Sequence, residues 1–131
     1  MMGRDFFSIL RSVARRSWMR DNCGLGRRVL FLDAKGDIYP CPNWRGVEHR
    51  LGNIVDTPLE GLIQHSPILS DMRERYKVPL LNACRQCDFC FWCAGDCRAE
   101  AESVAGQGAP SPYCGSLERL FPELFWSLSE G

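Results

Sequence analysis

Eight cysteines set the terms on which this chain of 131 residues can fold, because five of them fall between positions 84 and 97. The run Cys84-x2-Cys87-x2-Cys90-x2-Cys93-x3-Cys97 is too dense in ligands to be a regular helix or strand. Cys23, Cys41 and Cys114 stand far from it in sequence. A short loop of this kind wraps a metal cluster and offers thiolates to several irons, while remote cysteines complete each coordination sphere. Eight cysteines suit two four-cysteine iron–sulfur clusters or, by count alone, two zinc sites.

In a secreted domain the same cysteines would read as a disulfide framework. Here Phe6–Leu10 is cut off by Arg11, so no apolar run of about 7–15 residues precedes a cleavage site. No stretch approaches the ~20 apolar residues of a membrane span. The expectation is a cytoplasmic protein whose cysteines hold metal, with no membrane partner. A formal net charge of zero gives no argument for nucleic acid, and none is expected as partner. Residues 1–28 nevertheless carry seven arginines against Asp5 and Asp21. Arg-rich residues 1–22 form a separate segment, read as a solvated face or, with Phe7 and Trp18, a docking face.

Zinc is the plainer alternative. Four-cysteine zinc sites pair two C-x2-C knuckles across a longer stretch, whereas Cys84 and Cys87 are followed at once by three more cysteines. A second alternative is Cys87-x2-Cys90-x2-Cys93-x3-Cys97, the bacterial ferredoxin spacing. Arg98 stands where that motif carries proline, no second run exists, and Cys84 and Cys114 are left over.

Hydrophobic spacing predicts an amphipathic helix over 6–19. Val29–Leu32 and Asp37–Pro40 read as a hairpin turning at Gly36, with a further short strand at Leu51–Ile54. Thr57-Pro58-Leu59-Glu60 reads as a capping box opening a helix, and Ser66-Pro67 opens another through about Tyr76. Arg98–Ala105 is expected helical. Leu117, Phe121, Leu124 and Leu128 give a C-terminal apolar stripe over 115–131 that Pro122 kinks or restarts. The fold expected is α+β: a small antiparallel hairpin core, irregular cysteine-rich loops and flanking helices. His49 and His65 lack ligand spacing.

Without Cys90, the cysteines resemble the seven-cysteine pattern of the SPASM domain, an auxiliary-cluster module of radical S-adenosylmethionine (SAM) enzymes. The pattern runs Cys23, then Gly36-x4-Cys41, then Cys84-x2-Cys87-x5-Cys93-x3-Cys97, then Cys114. Gly36-Asp37-Ile38-Tyr39-Pro40-Cys41-Pro42 and Leu51-Gly52-Asn53-Ile54 resemble the family's hairpin segments. Cys93-Ala94-Gly95-Asp96-Cys97-Arg98 resembles its C-x-G-G-C-R turn, with Asp96 in place of glycine. Ser111-Pro112-Tyr113-Cys114 resembles its D-P-x-C ending, with Ser111 in place of aspartate. The resemblance covers 23–114.

It implies two 4Fe-4S clusters, a first on Cys23, Cys41 and Cys97 and a second on Cys84, Cys87, Cys93 and Cys114. The first then has an open iron or takes Asp21, Ser17 or a partner's residue. Cys90 is either a buried thiol or a substitute ligand. Phe89, Phe91, Trp92 and Tyr113 flank the ligands as shields or as plain core. A radical SAM barrel needs C-x3-C-x2-C and about 200 further residues; the only C-x3-C here, Cys93/Cys97, meets Glu100 in the third place. The resemblance is therefore to a stand-alone SPASM protein of a split, GeoRSP-type system, with no catalytic residues of its own. Its expected partners are a separate radical SAM protein and a peptide substrate or peptide-binding chaperone. Its expected role is electron transfer or substrate positioning.

Overall fold

The computed structural model describes residues 11, 13–15 and 21–130. The segment 1–22, read as a helix and docking face, lies mostly outside them. Within it, the Arg15 amide donates to the Arg11 carbonyl at 3.0 Å, closing one helical turn. Among the described residues no helix is long and apolar enough to cross a membrane. The chain divides into two compact units, Gly24–Arg75 and the flanking stretches up to Cys23 and from Tyr76 onward. With its small antiparallel sheet, helices and cysteine-bearing loops, the fold is the expected α+β type.

Gly24–Arg75 is built on a three-stranded antiparallel sheet, β1 (Phe31–Leu32), β2 (Asp37–Tyr39) and β3 (Gly52–Asn53), in that order. Asp33 makes the first turn. Its carboxylate accepts the amides of Lys35 at 2.8 Å and Asp37 at 3.0 Å, and Gly36 supplies the left-handed residue at φ +89°. Asn53 ties the third strand to this turn by donating to the Lys35 carbonyl at 2.9 Å and to Asp37 at 2.8 Å. Arg50 pairs with the same carboxylate at 2.6 Å. The Arg50 guanidinium, then the Asn53 amide, hold the Asp37 carboxyl below the usual carboxylate range. That contribution is complete above the ordinary carboxylate pKa and is lost as acid protonates Asp37.

Two helices follow, α1 (Leu59–His65) and α2 (Pro67–Arg75), burying Leu62, Leu69 and Met72. The capping box at Thr57 does not form: α1 starts one turn position later, with Pro58 at its cap and no side-chain cap bond. The Asn53 carbonyl draws the Asp56 and Thr57 amides into a turn, and Glu60 accepts from Gln64 at 3.0 Å instead. Ser66 does cap α2, its hydroxyl accepting the Leu69 amide at 3.2 Å.

The second unit carries α3 (Cys90–Cys93), α4 (Arg98–Ala105) and α5 (Cys114–Ser129). The one-turn α3 stands where only irregular chain was expected. Pro122 neither breaks nor restarts α5. Its missing N–H costs the helix one bond, but Phe121 is fully buried with Val13, and Phe89, Trp92, Leu117, Leu124 and Phe125 pack against them. That apolar seam holds the helix continuous.

A methyl group at Gly36 would stand 2.9 Å from the Asn53 side-chain oxygen as well as straining the backbone. Gly36→Ala should destabilise by about 1–3 kcal/mol, read as a lower urea midpoint at unchanged slope.

Candidate metal centre

The cysteine run folds as a train of tight turns. The Cys84 amide donates to the Leu81 carbonyl at 2.8 Å, Cys87 to Cys84 at 3.0 Å and Cys90 to Cys87 at 3.2 Å. Side chains three apart eclipse in such turns. The C-x2-C spacing therefore puts Cys84, Cys87 and Cys90 on one side, while Arg85, Gln86 and Asp88 are exposed. Cys90 is buried at 8% exposure; Cys84 and Cys87 are partly buried. After Cys93 the chain reverses through three consecutive left-handed residues, Ala94 at φ 56°, Gly95 at 75° and Asp96 at 54°. Two of these are not glycine, so the turn is strained and has to be held by its surroundings.

Two cross-links hold it. Arg98, 1% exposed, donates to the Gly95 carbonyl at 2.9 Å and to the Ala109 carbonyl. The Ser111 hydroxyl donates to the Asp96 carboxylate at 2.6 Å, both side chains being buried, and accepts the Tyr113 amide at 3.1 Å. The Cys114 amide closes on the Ser111 carbonyl at 3.0 Å. These bonds fasten the Cys93–Cys97 turn to the segment that delivers Cys114. Asp96 and Ser111 are the two departures from the family pattern, and they are partners in space.

Burial pushes the Cys84 thiol up; nearby Arg98 pulls it down, and Cys114, Cys87 and Cys90 add to the rise. Burial also raises Cys114, followed by Glu118 and Cys87, and raises Cys90, followed by Cys87. Cys84, Cys87 and Cys114 thus lie within one another's electrostatic reach, and Cys90 with them. Cys93, at the end of α3, packs on the Val13–Phe121 core. Cys97 caps α4, its carbonyl accepting the Ala101 amide at 3.0 Å. Cys23 lies in the same unit, whereas Cys41, starting the turn to Trp44, belongs to Gly24–Arg75.

No disulfide joins any of the eight cysteines. Among the described residues no three His, Cys, Asp or Glu side chains close round one ion. A cubane cluster does not require that, since its thiolates are shared among several irons. A partly desolvated set of soft sulfur donors beside a buried cation fits an anionic thiolate-held cluster. Of the flanking aromatics, Phe89 and Trp92 pack into the core beside Cys93. Tyr113 is 49% exposed and donates to Glu100 at 3.1 Å, so it shields little.

Ser111→Ala removes a donor from Asp96 and an acceptor from the Tyr113 amide, and should cost about 1–3 kcal/mol. The exchange D96G with S111D returns glycine to a left-handed position and keeps an acceptor for Tyr113. Its urea midpoint should lie closer to the wild type than that of Ser111→Ala.

Residues 23–88, about half of the chain, match the SPASM family, described as an iron–sulfur cluster-binding domain. The chain is 32% identical over 102 residues to the mycofactocin maturase MftC of Mycolicibacterium smegmatis, taking in 68% of this chain and 25% of the relative. It is 30% identical over 115 residues to the serine-type anaerobic sulfatase-maturating enzyme of Bacteroides thetaiotaomicron, 83% of this chain and 27% of the other. It thus spans about a quarter of the length of these curated relatives. A solved structure, native anSMEcpe with bound AdoMet, shares the fold with a TM-score of 0.69 at 21% identity, over 95% of this chain and 34% of that one. By its cysteine pattern, its matched family and its fold, the chain belongs to the SPASM family of iron–sulfur cluster-binding domains.

Proposed function

We propose that this chain holds two auxiliary 4Fe-4S clusters and serves a separate radical SAM protein in peptide modification, as an electron-transfer or substrate-positioning unit. The observation that carries the reading is the set Cys84, Cys87 and Cys114, held in one another's field beside buried Arg98. The family spacing implies Cys93 as the fourth member of this second ligand set, with Cys90, beside Cys84 and Cys87, as its rival. Cys23, Cys41 and Cys97 form the first, as the family spacing implies, with an open iron or Asp21 in the fourth place. Ser17, the other candidate in this chain, lies outside the described residues.

Bound there, the clusters would supply one-electron transfer. The chain's own residues do the rest. The cysteine thiols give up their protons on ligation, against the resistance that burial builds into Cys84 and Cys114. Phe89 and Trp92, packed with Phe121 and Phe125 at ring separations of 5.3 and 5.0 Å, keep water from one side of Cys93. Support for a radical SAM partner comes from the relatives, which are maturases.

Protein reconstituted without oxygen should carry about eight irons and matching sulfide per chain. About four irons would reduce the reading to one cluster. Zinc without sulfide would replace it with a structural zinc adaptor. Cys90→Ser should keep both clusters; loss of about four irons in that variant would favour the ferredoxin spacing.

A further inference from the structure

Resting on that reading, we infer that Arg98 is the built-in counter-cation of the second cluster and keeps its reduction potential higher than the cysteines alone would. Arg98 is 1% exposed, and its guanidinium meets two backbone carbonyls, of Gly95 and Ala109. Neither carries a formal charge. Its Nε, also buried, has no hydrogen-bond partner, and among the described residues it forms no ion pair. Arginine cannot shed its proton, and the buried Asp96 carboxylate two residues before it bonds the Ser111 hydroxyl rather than the guanidinium. A buried cation without an ion-pair partner of its own is costly, and a charge supplied by something the protein binds relieves that cost.

The neighbours identify that charge. The guanidinium is bonded to Gly95, inside the Cys93–Cys97 turn, and to Ala109, on the segment that delivers Cys114. It favours the ionised form of Cys84 and Cys114, both proposed for the second ligand set. As thiols they are neutral and give the guanidinium no ion-pair partner; as iron ligands they are thiolates and add negative charge beside it. A fixed positive charge beside an anionic cluster favours the form that has gained an electron. The spare Nε–H adds a donor in a site where hydrogen bonds to sulfur raise potential. The competing account makes Arg98 only a clamp between Gly95 and Ala109. It predicts that the shape of the fork matters and the charge does not.

The test compares Arg98→Gln with Arg98→Lys in reconstituted protein. Iron per chain is counted and the potential of the second cluster read by titration followed by electron paramagnetic resonance. That cluster's signal is the one missing in Cys84→Ser. Arg98→Gln should lower the reduction equilibrium constant at least tenfold, about 59 mV for one electron, with Arg98→Lys near the wild type. Loss of the second cluster in Arg98→Gln, with Arg98→Lys loading at wild-type potential, supports the inference equally. It is overturned if Arg98→Gln keeps its iron at an unchanged potential, or if Arg98→Lys fails as completely as Arg98→Gln. Wild-type protein that binds zinc and no sulfide would sink the cluster reading beneath it instead.

Discussion

Arg98 and the Asp96–Ser111 bond tie the strained turn between Cys93 and Cys97 to the loop that runs from Ala109 to Cys114, and the placing of these three cysteines depends on that tie. Left-handed Ala94 is a costly conformation, and the local bonds, Ala94 amide to Cys90 carbonyl at 2.7 Å and Asp96 amide to Cys93 carbonyl at 3.1 Å, are reinforced from outside the turn. With the guanidinium bridging Gly95 and Ala109, and the carboxylate taking the Ser111 hydroxyl, the turn has one place to be. Gly95 is part of the lock, since a methyl group there would press on Leu81 at 3.2 Å and Arg98 at 3.3 Å. The price is a buried cation and a buried carboxylate in a small unit, which an apolar core of this size balances poorly.

One apolar cluster of the same unit packs against the end of the cysteine run at Cys93. Phe89, Phe121 and Phe125 stack, Trp92 meets Phe125 edge-on, and Val13 closes the cluster of side chains. Full burial of a side chain such as Phe121 is worth about 1.5–3 kcal/mol, comparable with the penalty of proline inside a helix, about 3 kcal/mol. That balance explains why α5 runs through Pro122. It also makes the C-terminal helix a support for α3, and so for Cys90 and Cys93.

Much of this was legible in the sequence, for local reasons. The hairpin declared itself because Gly36 can make the turn between the apolar run Val29–Leu32 and Asp37–Pro40, and Arg98–Ala105 is helical over the expected span. Failures came where a long-range partner overrode a local signal. Thr57 has the residues of a cap, but Asn53, itself fastened to Lys35 and Asp37, had already turned the chain there. Pro122 is a strong breaker whose effect was decided by side chains far back in the sequence, at Phe89 and Trp92. The cysteine spacings were legible because i, i+3 turns make spacing a statement about direction. How the Cys93–Cys97 turn is joined to Cys114 was not, because that depends on side chains such as Arg98, Glu102 and Ser111 that fix the loop between them.

Asp96 and Ser111 show the same limit most clearly. Read along the chain they are two independent departures, a glycine lost from one motif and an aspartate lost from another. In space they are one hydrogen bond, with the carboxylate on the other side of the contact. Aspartate is among the few residues besides glycine that tolerate left-handed backbone, so it can occupy the turn that the family pattern gives to glycine. Serine, which both donates to that carboxylate and accepts the Tyr113 amide, can then stand in the place of the aspartate. In this chain the carboxylate of that contact sits on Asp96, where it acts on the Cys114 thiol, and the Ser111 hydroxyl answers it.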